Sequence, residues 1–159
     1  MKAFTLPTII IFTLFIFQSD FREDNFKIIS FPEFEQLTSQ NSDKIRIFNF
    51  WATWCAPCVK EMPYFQKVQA EDSSLDLIFI SMDDGRKPER VTSFMEKRNI
   101  SAPVYLLNDV DYNKWIDKVD PSWSGAIPAT LFIKPDGSRS FHEGEVTEEE
   151  LKSMIQQLK

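Results

Sequence analysis

Strand-like and helix-like segments alternate along the chain, and this order constrains the fold more than any other feature of the sequence. Residues 44–51 and 75–81 are short runs rich in β-branched and aromatic side chains, which predicts buried strands. Between them, residues 56–70 carry apolar side chains at three-residue spacing, which predicts an amphipathic helix. The strand–helix–strand order is typical of an α/β protein.

The same alternation continues through the rest of the chain. Three further helices and two further strands are predicted, the helices over residues 31–40, 89–98 and 112–119 and the strands over residues 102–107 and 129–134. A Pro-Asp-Gly turn at residues 135–137 leads into a return strand over residues 138–143. Thr147 and Glu150 form a capping-box pattern that starts a last helix. The sequence therefore predicts one α/β domain over residues 20–159, with a central mixed β-sheet flanked by helices.

The amino terminus, residues 1–19, predicts a targeting segment. A single positive charge at Lys2 precedes an apolar run over residues 3–17. As a helix this run would cover about 22 Å, short of a bilayer core of about 30 Å, which favours a cleaved signal peptide. Phe17 at the expected cleavage site instead favours an uncleaved membrane anchor, and a core helix is a third interpretation. A signal peptide or an anchor would place the domain outside the cytoplasm, in the periplasm or on the outer face of the cytoplasmic membrane.

Charge and cysteine content argue against two classes of protein. The formal net charge is −6, and Lys and Arg form no basic stripe, so the electrostatic footprint of a nucleic-acid-binding protein is missing. The chain has only 2 cysteines, whereas small secreted domains stapled by disulfides carry at least about four. A single pair, Cys55 and Cys58, suits chemistry better than stapling.

These two cysteines lie at the predicted junction between a strand and a helix. Unpaired backbone N–H groups and the positive dipole end at a helix N-terminus favour the thiolate form of Cys55, which is the attacking form of a thiol. Cys58 lies one helical turn further on the same face, where it can close a disulfide with Cys55. Pro57 suits the first turn, since its missing N–H has no partner to lose. Trp51 and Trp54 would wall the site with apolar surface.

Other interpretations of the pair have less support from the residues. A zinc site needs about four ligands, and the chain adds only the distant His142 to its two cysteines. A purely structural disulfide would close a very short loop and constrain little chain, and an unreactive buried pair is a third interpretation. Peroxidase chemistry of the peroxiredoxin kind would need Pro and Thr where Phe48 and Ala52 precede Cys55.

Three segments carry a resemblance to known proteins, namely residues 50–58 (FWATWCAPC), 59–63 (VKEMP) and 125–130 (GAIPAT). They resemble the thioredoxin superfamily, and within it the TlpA/ResA-type thiol–disulfide oxidoreductases, which are AhpC/TSA- or redoxin-like proteins. The resemblance implies a thioredoxin-like fold with a helix–strand insertion over residues 83–107, before a cis-proline loop. Pro128 would be the cis-proline beside the cysteine pair; a plain strand-start proline is the alternative.

The resemblance also implies roles for individual residues. Cys55 would be the nucleophile and Cys58 the resolving thiol. Substrate would contact a set of residues around them, namely Trp54, Ala56, Pro57, Ile127 and Pro128. Asn49 stands where cytoplasmic thioredoxins have a buried Asp, and Glu61 stands where the TlpA/ResA-type relatives place a Glu. We expect Asn49 and Glu61 to tune the thiols, with Glu61 also taking part in proton transfer; an ordinary strand amide and a solvated helix glutamate are the simpler interpretations.

The predicted function is reduction of disulfides in exported proteins, with no metal and no cofactor beyond the redox-active Cys55–Cys58 disulfide. Pro57 occupies a position where a His would stabilise the thiolate and make a stronger oxidant, so a reducing poise is favoured. The resemblance implies protein disulfide substrates, such as the haem-attachment cysteines of apocytochrome c, and a membrane thiol–disulfide electron donor. A disulfide-forming oxidant and a non-catalytic protein-binding module are the alternatives.

Three aromatic side chains outside the motif have structural interpretations. His142, on a predicted hairpin strand, is expected to be solvated or to pack. Trp115 is expected in the core. Trp123 would either line the substrate groove or pack beneath it.

Overall fold

The computed structural model describes residues 25–159, so the predicted signal peptide or anchor over residues 1–19 lies outside the described residues. Within these described residues, six strands form one sheet: β1 Phe26–Ile29, β2 Ile45–Trp51, β3 Leu75–Ser81, β4 Val104–Leu107, β5 Ala129–Ile133 and β6 Arg139–Glu143. The same part of the chain contains five α-helices: α1 Phe31–Ser39, α2 Ala56–Glu71, α3 Glu89–Arg98, α4 Ile116–Val119 and α5 Glu148–Leu158.

The sheet is mixed, as predicted. Its strand order is β1-β4-β3-β2-β5-β6, with β1, β4, β3 and β2 parallel and with β5 and β6 antiparallel to their neighbours. Strand β2 is central, and all 7 of its residues are buried. A strand covered on both faces needs apolar side chains on both, which is why its sequence is mostly apolar rather than alternating, interrupted only by the buried Arg46 and Asn49.

Two apolar clusters cover the two faces of the sheet. Helices α2, α3 and α5 contribute side chains such as Met62, Val91 and Leu151 to one cluster. Helices α1 and α4 contribute to the other, where Trp115 is buried as predicted. Trp123 is only 3% exposed and its ring lies 4.6 Å from that of Phe50, so it packs in the core. The predicted α/β architecture is confirmed.

Two elements differ from the sequence predictions. Residues 26–29, for which the sequence predicts no element, form strand β1, which pairs in parallel with β4 at the sheet edge. The helix predicted over residues 112–119 is a 3-10 turn, Tyr112–Lys114, followed by the short α4. Between them Trp115 leaves the helical conformation, since its buried indole donates a hydrogen bond to the Asp109 carbonyl at 3.1 Å. The Trp115 ring also stacks on Phe31 with a centroid distance of 5.2 Å, so the packing of one side chain overrides the local periodicity.

The predicted site residues come together at the end of the sheet where the parallel strands have their carboxyl ends. The parallel strands β2 and β3 end there, with Trp51 paired to Ser81. Strand β5 runs the opposite way and begins there, with Ala129 paired to Phe50. The Cys55–Cys58 segment and the Pro128 loop therefore meet at this end, and the α3–β4 insertion follows β3 before that loop, as predicted.

No helix within residues 25–159 has both the length and the apolar character that crossing a membrane would require.

Candidate active site

Cys55 caps the amino terminus of helix α2. Its backbone is extended (φ −89°, ψ 99°), and its Sγ atom accepts a hydrogen bond from the Cys58 N–H at 3.4 Å. Ala56 and Pro57 fill the first helical positions, where a proline loses no hydrogen bond. The sulfur of Cys55 thus lies against the unpaired N–H groups and the positive end of the helix dipole, which stabilise negative charge.

Cys55 and Cys58 are joined by a disulfide, with Cα atoms 5.3 Å apart. Cys55 is 6% exposed, whereas Cys58 is completely buried. Cys55 is thus the less buried of the two cysteines, and we expect an incoming sulfur to reach Cys55 rather than Cys58. The order of attack that the resemblance implies, with Cys55 as nucleophile and Cys58 as resolving thiol, stays a prediction.

The loop before β5 closes the site from the other side. The Ile127–Pro128 peptide bond is cis, and the Ile127 carbonyl oxygen lies 3.7 Å from the Cys55 sulfur. The Trp123 indole donates to the Ala126 carbonyl at 2.8 Å, and the Gly144 N–H donates to the Pro128 carbonyl at 2.9 Å. The predicted cis-proline is present, and its loop is anchored to the core below and to β6 beside it.

The predicted substrate-contacting residues surround Cys55 on the surface. Trp54 is 68% exposed and Ala56 is also exposed, while Pro57 and Ile127 are half-buried. Pro128 itself is buried beneath them. An exposed indole next to an accessible sulfur is an apolar surface that suits polypeptide contact.

Glu61 is fully buried, so it is not a solvated helix glutamate. Its Oε1 accepts from the Asn49 side-chain N–H at 2.8 Å and its Oε2 accepts from the Val146 N–H at 2.8 Å. Burial raises the pKa of Glu61 to about 7, although both hydrogen bonds favour the charged form and act against that rise. A carboxyl group balanced near neutral pH can accept and release a proton under physiological conditions.

Asn49 connects Glu61 to strand β5. Its Nδ2 donates to Glu61 and also to the Thr130 hydroxyl at 3.1 Å. Its Oδ1 is buried and has no hydrogen-bond partner among residues 25–159. Asn49 is therefore a buried bridge that fixes the Glu61 carboxyl group rather than an ordinary strand amide.

Asp83 is a site residue that sequence reasoning missed. It is only 5% exposed, and its carboxylate accepts from the Thr53 N–H at 2.9 Å, the Thr53 hydroxyl at 2.6 Å and the Ser81 hydroxyl at 2.9 Å. These contacts tie the loop that precedes Cys55 to the carboxyl end of β3. The available signal was that Asp83 lies two residues after the end of a buried strand, next to the strand that leads into the cysteine motif.

His142 is not part of the cysteine motif. It is half-buried on β6, opposite Thr130, and its Nε2 has no partner among the described residues. Across residues 25–159, no three His, Cys, Asp or Glu side chains form a group that would hold a metal ion.

Comparison with known proteins identifies the family of this chain. A family model described as the AhpC/TSA family matches residues 18–138. Over 110 residues the chain is 36% identical to the thiol-disulfide oxidoreductase ResA of Oceanobacillus iheyensis, covering 66% of this chain and 53% of the relative. Over 89 residues it is 33% identical to ResA of Bacillus subtilis, covering 56% of this chain and 46% of the relative. The chain thus spans about half the length of these curated relatives.

Solved structures agree with the fold. A thioredoxin-related protein from Neisseria meningitidis superposes with a TM-score of 0.64 at 28% identity, covering 77% of this chain and 89% of that one. A secreted disulfide oxidoreductase of Mycobacterium tuberculosis, homologous to DsbE, gives a TM-score of 0.57 at 25% identity, with coverages of 74% and 84%. The predicted thioredoxin-like fold is confirmed, and the relatives support the predicted oxidoreductase class.

Proposed function

The chain belongs to the AhpC/TSA family and is a TlpA/ResA-type member of the thioredoxin superfamily, and from that premise we propose that it is a thiol–disulfide oxidoreductase that reduces protein disulfides. One observation carries this function. The sulfur of Cys55 is the accessible member of a disulfide pair and lies at a helix N-terminus, facing a cis-proline loop.

Reduction begins from the dithiol form of the protein. The Cys55 thiolate attacks one sulfur of the substrate disulfide, so a Cys55–substrate bond forms while the substrate S–S bond breaks and the leaving sulfur takes a proton. The Cys58 thiolate then attacks Cys55, which forms the Cys55–Cys58 disulfide and releases the second substrate thiol. Two electrons pass from the cysteine pair to the substrate.

Cys58 must lose its proton before it can attack, and it is buried away from water. Glu61 follows one turn later on the same helix, with a pKa of about 7. We assign Glu61 as the proton acceptor for this step, held in position by Asn49 and the Val146 N–H. Glu61 and Asn49 are both buried, so they act beneath the surface that contacts the substrate.

Substrate polypeptide contacts the surface around Cys55, formed by Trp54, Ala56, Pro57 and Ile127 over Pro128. Exposure of Trp54 and Ala56 and partial exposure of Pro57 and Ile127 support this role. We further propose that the protein works outside the cytoplasm, that its clients are exported proteins such as apocytochrome c, and that a membrane thiol–disulfide carrier returns electrons to it. The apolar run over residues 3–17 supports export or membrane association.

A redox titration and an insulin-reduction assay test this function together. We expect wild-type protein to reduce insulin disulfides and Cys55→Ser to lose that activity. A reduction potential near thioredoxin's value of about −270 mV fits a reductase, whereas a value near about −120 mV would instead identify a disulfide-forming oxidant. Insulin that is bound equally well by wild type and Cys55→Ser, but reduced by neither, would identify a binding module.

A further inference from the structure

A groove beside the cysteine pair has no part in the exchange steps. Thr53 and Trp54 form one wall and the exposed face of helix α3 forms the other, and the groove between them is open to solvent, with a volume of about 480 Å³. We call it the Trp54–α3 groove. Because Trp54 lines this groove and directly precedes Cys55, we expect a chain segment bound here to pass close to the Cys55 sulfur, which attacks the client disulfide.

The groove combines apolar surface with positive charge. Its apolar surface comes from the 68% exposed Trp54 and from Phe94, whose ring lies 5.0 Å from the buried Trp51. Arg90 and Lys97 line the α3 side, and neither forms an ion pair within residues 25–159. Glu89 is the one carboxylate in the lining.

The positive charge is local to this part of the molecule. The lining of the groove holds two cations, Arg90 and Lys97, and one carboxylate, Glu89, which gives a formal charge of 2 − 1 = +1 in a chain whose net charge is −6. A cationic surface on an acidic protein selects for negatively charged partners and repels positively charged ones. Arg90 and Lys97 therefore offer unpaired partners to carboxylates of a bound chain.

We propose that the Trp54–α3 groove docks an acidic segment of a polypeptide client that flanks the client's disulfide. This specificity rests on the proposed reductase function, since Cys55 must act on the disulfide that the groove presents. An apolar side chain of the client packs on Trp54 and Phe94 while its carboxylates meet Arg90 and Lys97. A polypeptide is favoured over an anionic lipid surface because the groove opens beside the reacting sulfur.

Matched disulfide peptides test this preference. Two synthetic peptides share one disulfide and one aromatic residue and differ only in carrying Glu or Gln at the flanking positions. With the reduced full chain, we expect kcat/KM for the Glu peptide to exceed that for the Gln peptide by about 3- to 10-fold at low ionic strength, and the ratio to approach one at high salt.

Variants give the sign of the effect. Combining Arg90→Glu with Lys97→Glu should bring the Glu-to-Gln ratio below one, whereas Glu89→Gln should raise it. The charge-matched control combines Lys27→Glu with Lys44→Glu, two exposed lysines on the edge strand and at the amino end of β2, away from the groove. The control should keep the wild-type ratio.

Three outcomes would overturn the docking role. The first is a wild-type Glu-to-Gln ratio of one, and the second is a ratio that falls as far in the control variant as in the Arg90/Lys97 variant. The third is a wild-type ratio of one combined with vesicle binding: wild type binds phosphatidylglycerol vesicles and the Arg90/Lys97 variant does not, which would identify a lipid-binding surface. Reduction of the small neutral substrate 2-hydroxyethyl disulfide by the wild type separates the two levels. If that activity is absent the reductase function fails, and if it is present with a peptide ratio of one only the groove's role fails.

Discussion

The Glu61 carboxyl group has no contact with solvent and lies between two hydrogen-bond donors, one from a side chain and one from the backbone. Asn49 and the Val146 N–H each donate to one of its oxygens, which favours the ionised form. Removal from water favours the neutral form more strongly, and the resulting pKa is about 7. At neutral pH the protonated and ionised forms therefore coexist, as a proton acceptor for a buried thiol requires.

This raised pKa predicts a pH-dependent contribution to stability. Between pH 4.5 and about pH 7 the unfolded chain releases the Glu61 proton while the folded chain keeps it. Stabilisation from Glu61 is therefore fully present below pH 4.5 and is lost as the pH rises to about 7, by up to about 3 kcal/mol. The side chain of Glu61→Gln does not titrate, so the variant should not lose this stabilisation. As the pH rises from 4.5 to about 7, the free energy of unfolding of Glu61→Gln should therefore increase relative to that of wild type. Urea denaturation of the oxidised proteins measures both values. Parallel pH profiles for the two proteins would contradict this account of Glu61.

Asp83 predicts a large effect for a residue outside the cysteine motif. Its carboxylate is buried and accepts hydrogen bonds from the Thr53 N–H and from the hydroxyls of Thr53 and Ser81. Asp83→Ala leaves these donors without their acceptor, and we expect the free energy of unfolding to fall by about 2–3 kcal/mol. Because the loop before Cys55 also loses its anchor, insulin reduction should slow in the folded variant.

Asp136 provides the matched control for Asp83. Its carboxylate accepts from the Ser138 N–H at 2.9 Å and from the Ser138 hydroxyl at 2.6 Å, but the residue is exposed. In Asp136→Ala, water replaces the carboxylate as acceptor, so unfolding and insulin reduction should change much less. Equal effects of the two substitutions on both measurements would show that Asp83 is not an anchor of the site.

Strand β1 contributes to stability through its pairing with β4, a strand that lies far from it in the sequence. Its four residues pair in parallel with Val104–Leu107 and cover that edge of the sheet, and Ile29 is buried there. A chain that begins at Ser30 should therefore unfold with about 2 kcal/mol less free energy than one that begins at Asn25, since it loses these backbone pairs and exposes a strand edge. Urea denaturation of the two shortened chains measures the difference, and equal stabilities would mean that β1 contributes nothing.

Local patterns predicted the elements that depend on local interactions. The bounds of β3 (Leu75–Ser81) and α3 (Glu89–Arg98) follow from apolar periodicity and turn residues, and the structure has the same bounds. The α5 capping box of Thr147 and Glu150 is also present, with both reciprocal hydrogen bonds. Strand β1 was missed because its pairing partner lies far along the chain, and no pattern within the segment itself reports that partner.

At the scale of the whole molecule, the site joins a local motif to distant segments. The pairing of Cys55 with Cys58 is encoded within four consecutive positions, so spacing alone was enough to predict it. The Asp83–Thr53 and Glu61–Val146 contacts join residues 30 and 85 positions apart. They depend on which strands are neighbours and on where α5 returns to α2, and single-sequence patterns do not contain that information.

Covalent trapping tests the central claim that Cys55 attacks and Cys58 resolves. The full chain carrying Cys58→Ser is reduced, freed of reductant and mixed with a disulfide peptide, with Cys55→Ser as its matched partner. Intact-mass and peptide-mapping mass spectrometry should find one peptide attached to Cys55 in the first variant and none in the second. A stable adduct on Cys58, or none on either variant, would contradict the assigned roles.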